Sequence, residues 1–322
     1  MPAHNALPLF YFQSRICFVD DDVKLLKTIT QGSPKQFQFE ILNTPESCLS
    51  FFENYLSPLS NIKFFNTIDE SEDYDLAQQL PVNLDISKIE NLSHHRKRFS
   101  EISVLIIDQH MPNISGLAIC EKLKNTPVKK ILMTGLTTDT EVIDAFNHGL
   151  IDKFINKNSE DLLEILSDNI IDLNYQYFSD YSKPFLKQLE ADKITVLQDP
   201  AFICLFQNHC RDNNIVEFYL INKMGHFLLI SDTGEKSHFV LMSQKDIDYF
   251  ILHNSAPDDL IKTDLFKRMK NGELIPFSSE HKNFWEIESS DLRPYFYPAK
   301  LLQGRENYFY TIVKKPRLQV VR

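Results

Sequence analysis

The chain has 322 residues, enough for about two domains of ordinary size. Hydrophobic residues make up 43% of it, charged residues 24%, and there are only 8 glycines, which is a globular composition and excludes a fibrous or low-complexity protein. The net charge of −10 disfavours a protein whose surface mainly binds nucleic-acid phosphates. All of the excess acid lies in residues 1–178, so this half in particular is not expected to bind DNA.

Three features of the sequence bear on its compartment. The N-terminal residues lack a basic segment followed by a long apolar core, so no signal peptide is expected. No stretch reaches the roughly 18–20 apolar residues that cross a bilayer. The 5 cysteines include no Cys-x-x-Cys pair, which favours reduced thiols over a zinc site. These features predict a cytoplasmic protein with no membrane contact.

The first half of the chain alternates strand and helix patterns. Strands are predicted at Ile16–Val19, Phe37–Ile41, Ser103–Ile107, Lys130–Met133 and Lys153–Asn156. Helical spacing follows each strand, and one helix begins with the capping sequence Thr44-Pro45-Glu46. The apolar stripe of the last helix, from Leu162 to Tyr177, either packs on its own sheet or forms a dimer seam. Buried strands that alternate with helices predict an α/β fold with a doubly wound, parallel, five-stranded sheet.

The segment 57–100 interrupts this alternation. It contains the acidic run Asp69–Asp73 and a helical pattern from Asp85 to Arg98. The alternation of strands and helices does not need these residues. We therefore predict a long insertion within the first domain.

Polar side chains stand at the end of each central strand. Asp20 and Asp21 follow the first strand, Asp108 the third, Thr134 the fourth and Lys157 the fifth. The carboxyl ends of parallel strands meet in one crevice, where several carboxylates repel one another unless a cation such as Mg²⁺ offsets them. A carboxylate held beside Mg²⁺ and a lysine ammonium is suited to attack phosphorus and form an aspartyl phosphate.

Four motifs between Arg15 and Lys157 resemble those of the response-regulator receiver domain, whose fold is flavodoxin-like or CheY-like. They are Ile16–Asp22, Asp108–Gly116, Leu132–Gly135 and Gly149–Lys157. The resemblance implies that Asp108 is the phosphoacceptor, phosphorylated by a sensor histidine kinase or by small phosphodonors. It gives no reason to expect a separate enzymatic substrate.

The same resemblance assigns the remaining groups of the crevice. Asp21 and Asp108 would be side-chain ligands of Mg²⁺, the backbone carbonyl of His110 a third ligand, and Asp20 a support for the metal. The switch and phosphate-binding residues implied by the match are Thr134, Gly135, Phe154 and Lys157.

The sequence departs from the family pattern in two places. The family usually has proline after its lysine, but this chain has Asn158, so the loop need not contain a cis peptide bond. The insertion roughly doubles the usual separation of Asp21 and Asp108. Neither change removes a reactive group.

The second half predicts an α+β domain. A helix at Ala201–Cys210 precedes strands at Val216–Ile221, His226–Ile230 and His238–Met242, then helices at Gln244–His253 and Pro257–Lys270 and a last strand at Tyr308–Val313. No helix-turn-helix is predicted. The order of elements resembles the core of the PD-(D/E)xK nuclease-like fold, by topology alone.

The acids of this half do not form the nuclease motif. Glu217, Asp232, Glu235 and Lys236 lack its spacing, and Glu280-His281-Lys282 has the spacing but falls in a predicted loop. We predict no catalytic residue here. The aromatic clusters either stack bases or, as we favour, pack in a core or dimer interface; they are Phe284-Trp285, Tyr295–Tyr297 and Tyr308–Tyr310.

The predicted domains are a receiver at 1–158 with its insertion at about 57–100, a linker or dimerisation helix at 159–182, and an output domain at 183–322. The whole plan resembles a response regulator of bacterial quorum sensing. We expect a two-component response regulator in which phosphorylation controls homodimerisation or the contacts of the output domain with a protein or nucleic acid. The alternative is a receiver-gated nuclease or nucleic-acid-binding effector.

Overall fold

The computed structural model describes residues 7–67, 82–135, 140–191, 196–254, 260–278 and 292–314. Within these ranges the chain forms two compact units. The first unit contains residues from 11–63 and 94–183, and the second contains those from 7–10, 64–93 and 184–314.

The strands, in chain order, are β1 (Phe10–Tyr11), β2 (Arg15–Val19), β3 (Gln38–Leu42), β4 (Phe65–Thr67), β5 (Val82–Leu84), β6 (Ile102–Asp108), β7 (Lys129–Thr134), β8 (Lys153–Asn156), β9 (Ile215–Leu220), β10 (Phe227–Ser231), β11 (Lys236–Ser243), β12 (Leu274–Pro276), β13 (Phe296–Pro298), β14 (Lys300–Gln303) and β15 (Asn307–Lys314). The α-helices are α1 (Val23–Gly32), α2 (Pro45–Asn54), α3 (Ser87–Leu92), α4 (Gly116–Lys122), α5 (Thr140–Asn147), α6 (Leu162–Ala191), α7 (Pro200–Asp212), α8 (Gln244–Asn254) and α9 (Leu260–Lys270).

The first unit is built on a five-stranded sheet in the order β3-β2-β6-β7-β8, and every pair of neighbours is parallel. The predicted doubly wound sheet is therefore confirmed. Alternate side chains of β6 lie on opposite faces of the sheet, because successive side chains of a strand point to opposite sides. Leu105 and Ile107 pack with α4 and α5, whereas Val104 and Ile106 pack with α1 and α6.

The two helices with the clearest sequence signals differ in how well their ends were predicted. Thr44 caps α2 through a reciprocal capping box with Ser47, as the sequence indicated. The helix α6 continues to Ala191, beyond the predicted end at Tyr177, because Phe178 and Phe185 extend its buried face.

The apolar stripe of α6 mostly packs on its own sheet. Leu166, Ile170 and Leu173 are almost fully buried in the core that contains Ile106. The interpretation of these three residues as a dimer seam is therefore wrong. Leu163 and Ile165, by contrast, are more than a third exposed.

The segment 57–100 is divided between the units. Residues 64–93 group with the second unit, which differs from the predicted boundaries, because Phe64 packs against the rings of Phe10 and Phe185. The helix predicted from Asp85 to Arg98 is a short α3 followed by a 3-10 helix at Arg96–Ser100. The acidic run Asp69–Asp73 lies outside the described residues.

The second unit contains a six-stranded sheet in the order β1-β9-β10-β11-β15-β14, covered by α7. Phe202 and Phe206 of α7 lie against the rings of Phe227 and Phe239. The predicted helix and hairpin strands are confirmed, whereas β12, β13 and β14 were not predicted. The nuclease-like topology stays a prediction.

The described aromatic clusters of this unit contribute to packing. Tyr308 is 1% exposed, Phe296 is buried, and the ring of Tyr310 stacks on Phe239. This packing agrees with the favoured interpretation for these rings. Phe284 and Trp285 lie outside the described residues.

Candidate functional site

The candidate site lies at the carboxyl edge of the parallel sheet. Residues at the ends of β2, β6, β7 and β8 meet there, because these strands are parallel neighbours. Asp108 is paired in register with Met133, and Thr134 with Asn156. The sheet thus brings together Asp20, Asp108, Thr134 and Lys157, which are separated by up to 137 positions in the sequence.

Three carboxylates and one ammonium form the centre of this site. One oxygen each from Asp20, Asp21 and Asp108 lies within 4.8 Å of the others. The Lys157 Nζ is 2.7 Å from Asp20 Oδ2 and 2.9 Å from Asp108 Oδ1. Asp20 and Asp108 are buried, whereas Asp21 is exposed and so faces anything that enters from solvent.

Burial and charge determine the protonation of the pair at the base of the site. Burial raises the pKa of Asp20, although hydrogen bonds from Lys157 and from the Asp22 amide oppose this effect. Burial alone would lower the pKa of Lys157, but its hydrogen bonds to Asp20 and Asp108 outweigh burial and raise that pKa. The lysine is therefore held as an ammonium beside Asp108.

The backbone around Asp108 is fixed by hydrogen bonds and by a glycine. The Gln109 amide donates to the Met133 carbonyl, and the Gly116 amide donates to the Gln109 carbonyl. The Gln109 side chain accepts from the Leu117 amide, so a buried glutamine fixes the start of α4. A Cβ on Gly116 would lie 2.3 Å from the Asp108 carbonyl oxygen. The sequence motif contained Gln109 and Gly116 but gave no role to either.

The predicted switch residues lie at the ends of β7 and β8. Thr134 is 1% exposed, while Phe154 is 41% exposed and packs edge-to-face on Phe146 at 5.8 Å. A Cβ on Gly135 would lie 3.9 Å from the Asn158 Nδ2, an ordinary van der Waals distance. The structure contains no cis peptide bond among the described residues, so the Lys157–Asn158 bond is trans.

The donor set fits a hard divalent cation. Mg²⁺ prefers oxygen ligands such as carboxylates, and the exposed entrance of the site leaves room for the several waters that this ion keeps. Asp20, Asp21 and Asp108 are the three predicted acidic residues, and the structure brings all three together. The His110 amide donates to Asp108 Oδ1 at 3.2 Å, which places this residue beside the cluster. Its carbonyl as a ligand stays a prediction.

The acids of the second unit do not gather in the same way. Glu217 is buried on β9 and accepts a hydrogen bond from the Tyr219 hydroxyl. Asp232, Glu235 and Lys236 are exposed around the β10–β11 turn. Glu280, His281 and Lys282 lie outside the described residues. The described part of this unit therefore shows no clustered acids resembling those of the first unit.

Sheet order and site together define the class of the first unit: it has the CheY-like receiver fold of response regulators. Over its whole length the chain is similar to the Legionella pneumophila response regulator LqsR. The two are 28% identical with a TM-score of 0.78, over 99% of this chain and 92% of that one. This likeness supports a two-component response regulator.

Two further solved structures are similar over about half of this chain. An adenylate cyclase from Rhodopirellula baltica is 18% identical with a TM-score of 0.38, over 55% of this chain and 98% of that one. The Thermotoga maritima response regulator DrrB, an OmpR/PhoB homologue, is 21% identical with a TM-score of 0.30, over 49% of this chain and 51% of that one. No protein-family model and no curated protein matches the sequence.

A helix that could cross a membrane is not found in the described part of the chain, since none is both long and apolar enough.

Proposed function

We propose that this chain is a response regulator that accepts a phosphoryl group on Asp108 from a sensor histidine kinase. The observation that carries the proposal is the position of Lys157, whose ammonium contacts both Asp20 and Asp108 at the end of the parallel sheet. We further propose that the protein acts in the cytoplasm in quorum sensing, as the resemblance of its sequence to quorum-sensing response regulators implies.

The residues of the site can each contribute to phosphoryl transfer. One Asp108 oxygen attacks phosphorus, the bond from phosphorus to the donor breaks, and the donor keeps the electron pair and takes up a proton. Lys157 neutralises part of the phosphoryl charge, and the Thr134 hydroxyl can donate to a phosphoryl oxygen. A bound Mg²⁺ would supply further positive charge, held by Asp21 and Asp108 with Asp20 behind them and the His110 carbonyl as a further ligand.

We expect Asp108→Asn to abolish phosphorylation. Incubation of the native chain with acetyl phosphate and Mg²⁺ should add one acid-stable, base-labile phosphate, measured by intact mass. The variant should remain unlabelled, because an amide oxygen is a poor nucleophile. Asp22→Asn is the control, since its exposed side chain caps α1 and asparagine caps equally well. Full labelling of Asp108→Asn would show that another residue is the acceptor.

We expect Asp21→Ala to weaken Mg²⁺ binding. Opposite unit charges 4 Å apart in water attract by about 1 kcal/mol, so one carboxylate contributes about 2 kcal/mol beside a divalent ion, and its loss costs about thirtyfold in affinity. In metal-free buffer the thermal midpoint should stay the same or rise, because one of three crowded carboxylates has gone. Calorimetric titration and thermal scans measure the two effects. Unchanged Mg²⁺ affinity would exclude Asp21 as a ligand.

The output of the signal is proposed to be a change of self-association to a homodimer, or of the contacts that the second unit makes with a protein or nucleic acid. Three apolar side chains of the first unit support the first possibility, since they are exposed together on α5 and β8. They are Ile143, Phe146 and Phe154. Movement of Thr134 toward the phosphoryl group would allow Phe154 to repack and change this surface.

A further inference from the structure

The loops that follow β7 and β8 are joined by two hydrogen bonds at the mouth of the site. The Lys157 amide donates to the Thr134 carbonyl at 2.9 Å. One residue further along each loop, the Asn158 Nδ2 donates to the Gly135 carbonyl at 3.3 Å. Because Thr134 and Asn156 are the last paired residues of the two strands, these bonds extend their contact beyond the sheet.

The turn that presents Asn158 is held by its own backbone. The Ser159 amide donates to the Asn156 carbonyl at 3.2 Å, and the Asn158 amide donates to Asn156 Oδ1 at 2.9 Å. Neither bond uses the Asn158 side chain. Removal of that side chain therefore leaves the turn and Lys157 in place, and it removes only the bond to Gly135.

Gly135 needs such a restraint. Glycine has wider backbone freedom than any other residue. Among the described residues, apart from the chain neighbours of Gly135, the heavy atom nearest to the position that a Cβ would occupy on Gly135 is the Asn158 Nδ2, at 3.9 Å. Among the described residues, the Asn158 side-chain amide hydrogen-bonds the Gly135 carbonyl and so restrains this peptide.

We propose that Asn158 is a positioning residue for phosphoryl transfer to Asp108, an inference that rests on the function proposed above. Its amide holds the Gly135 carbonyl oxygen through an exposed hydrogen bond of 3.3 Å. This keeps the negative end of that peptide dipole away from the phosphoryl oxygens beside Thr134 and Lys157. Without the hydrogen bond, the carbonyl turns more freely, and the phosphoryl group must order it or be repelled by it.

The test compares Asn158→Ala and Asn158→Asp with the native full-length chain at saturating Mg²⁺. We expect the rate of phosphorylation by acetyl phosphate and the affinity for beryllofluoride to fall about two- to tenfold in the alanine variant, the range of one hydrogen bond. The aspartate variant should lose more, since its carboxylate repels both the carbonyl oxygen and the phosphoryl group. Mg²⁺ affinity and the thermal midpoint should stay unchanged.

Two further variants separate positioning from a general effect on the fold. Asn169→Ala removes a similar exposed bond, from its Nδ2 to the Ile165 carbonyl on α6, and should match the native chain. Adding Gly135→Ala to Asn158→Ala should restore part of the beryllofluoride affinity, because alanine narrows the backbone freedom of that residue.

The outcomes distinguish this proposal from the one on which it rests. A native chain that takes no phosphate on Asp108 contradicts the proposed function itself. If the native chain is labelled and Asn158→Ala keeps the native phosphorylation rate and beryllofluoride affinity, the role of Asn158 is overturned but the proposed function is not. A thermal midpoint that falls in parallel with beryllofluoride affinity also overturns it, since Asn158 would then stabilise the fold.

Discussion

Replacement of Gly116 by alanine should both destabilise the first unit and slow phosphorylation of Asp108 about a hundredfold. The new Cβ would lie 2.3 Å from the Asp108 carbonyl oxygen and 2.9 Å from Leu132 Cδ1. The Leu132 side chain can move a little. The Asp108 carbonyl belongs to the fully buried strand β6, so the start of α4 must shift instead.

The size of this effect follows from overpacking and from the geometry of the site. Forcing extra atoms into a packed core costs about 1–3 kcal/mol and sometimes more, and we expect the upper end of this range because the contact is with backbone. A shift of about 1 Å at the acceptor carboxylate can reduce the rate of chemistry roughly a hundredfold. Denaturant unfolding and acetyl phosphate labelling measure the two losses.

Gly135→Ala is the matched control for stability. It lies at the same edge of the sheet, but among the described residues a Cβ there would meet the Asn158 amide nitrogen at 3.9 Å and nothing closer. Its unfolding free energy should therefore stay within about 0.5 kcal/mol of the native value. If Gly116→Ala is as stable and as readily phosphorylated as the native chain, the close approach of α4 to Asp108 is not a constraint on the protein.

The sequence predicted the sheet of the first unit because its strands are long apolar runs that end in polar residues. The carboxyl ends of parallel strands coincide, so the gathering of Asp20, Asp108, Thr134 and Lys157 followed from strand order alone. Their distances and the buried state of Asp20 required the folded chain. Likewise, Asn158 was visible only as a departure from a motif, and its hydrogen bond depends on the path of a neighbouring loop.

Other features lack a local signal. The strands β12, β13 and β14 have three or four residues, too few for a period of two to stand out from chance. The grouping of Phe64 with Phe10 and Phe185 joins parts of the chain that are far apart in sequence. Such contacts are determined by packing rather than by propensity.

A second buried acidic group of the first unit was also invisible in the sequence. Glu101, which precedes β6, is fully buried. Its carboxylate accepts hydrogen bonds from the Tyr177 hydroxyl at 2.6 Å, from the Ser57 hydroxyl at 2.7 Å and from the Leu59 amide at 3.2 Å. One side chain thus joins β6, α6 and the segment that follows α2.

The protonation of Glu101 is coupled to folding. Burial raises the pKa of Glu101, although these three hydrogen bonds oppose the effect. The pKa of Tyr177 is also raised, by burial and by the charge of Glu101, so its hydroxyl remains a donor. The folded chain therefore binds the Glu101 proton more tightly than the unfolded chain does.

Glu101→Ala is expected to destabilise the first unit by about 3–5 kcal/mol. The Tyr177 and Ser57 hydroxyls would lose their acceptor beside a new cavity, and the Leu59 amide would keep its bond to Ser57 Oγ but lose the one to the carboxylate. Unsatisfied buried donors are costly. Glu121→Ala is the control, because Glu121 is exposed and pairs with Lys124 on the surface, where such pairs contribute little. Denaturant titration at neutral pH measures both variants, and a loss below about 1 kcal/mol for Glu101→Ala would show that water or a rearrangement satisfies the three donors.

Glu101→Gln should retain most of the stability at neutral pH but change its pH dependence. The amide oxygen can accept from Leu59, and the Tyr177 hydroxyl can rotate to accept from the amide nitrogen. Because the folded-state pKa of Glu101 is raised, its stabilising contribution is complete below its ordinary value of 4.5 and is lost as pH rises through the raised value. Over that window the unfolding free energy of the native chain should therefore fall relative to that of Glu101→Gln, by about 1.4 kcal/mol for each pH unit between the two pKa values. At higher pH the difference between the two proteins should stay constant. If the unfolding free energies of the two proteins instead differ by a constant amount across this window, Glu101 has the same pKa in the folded chain as in the unfolded one.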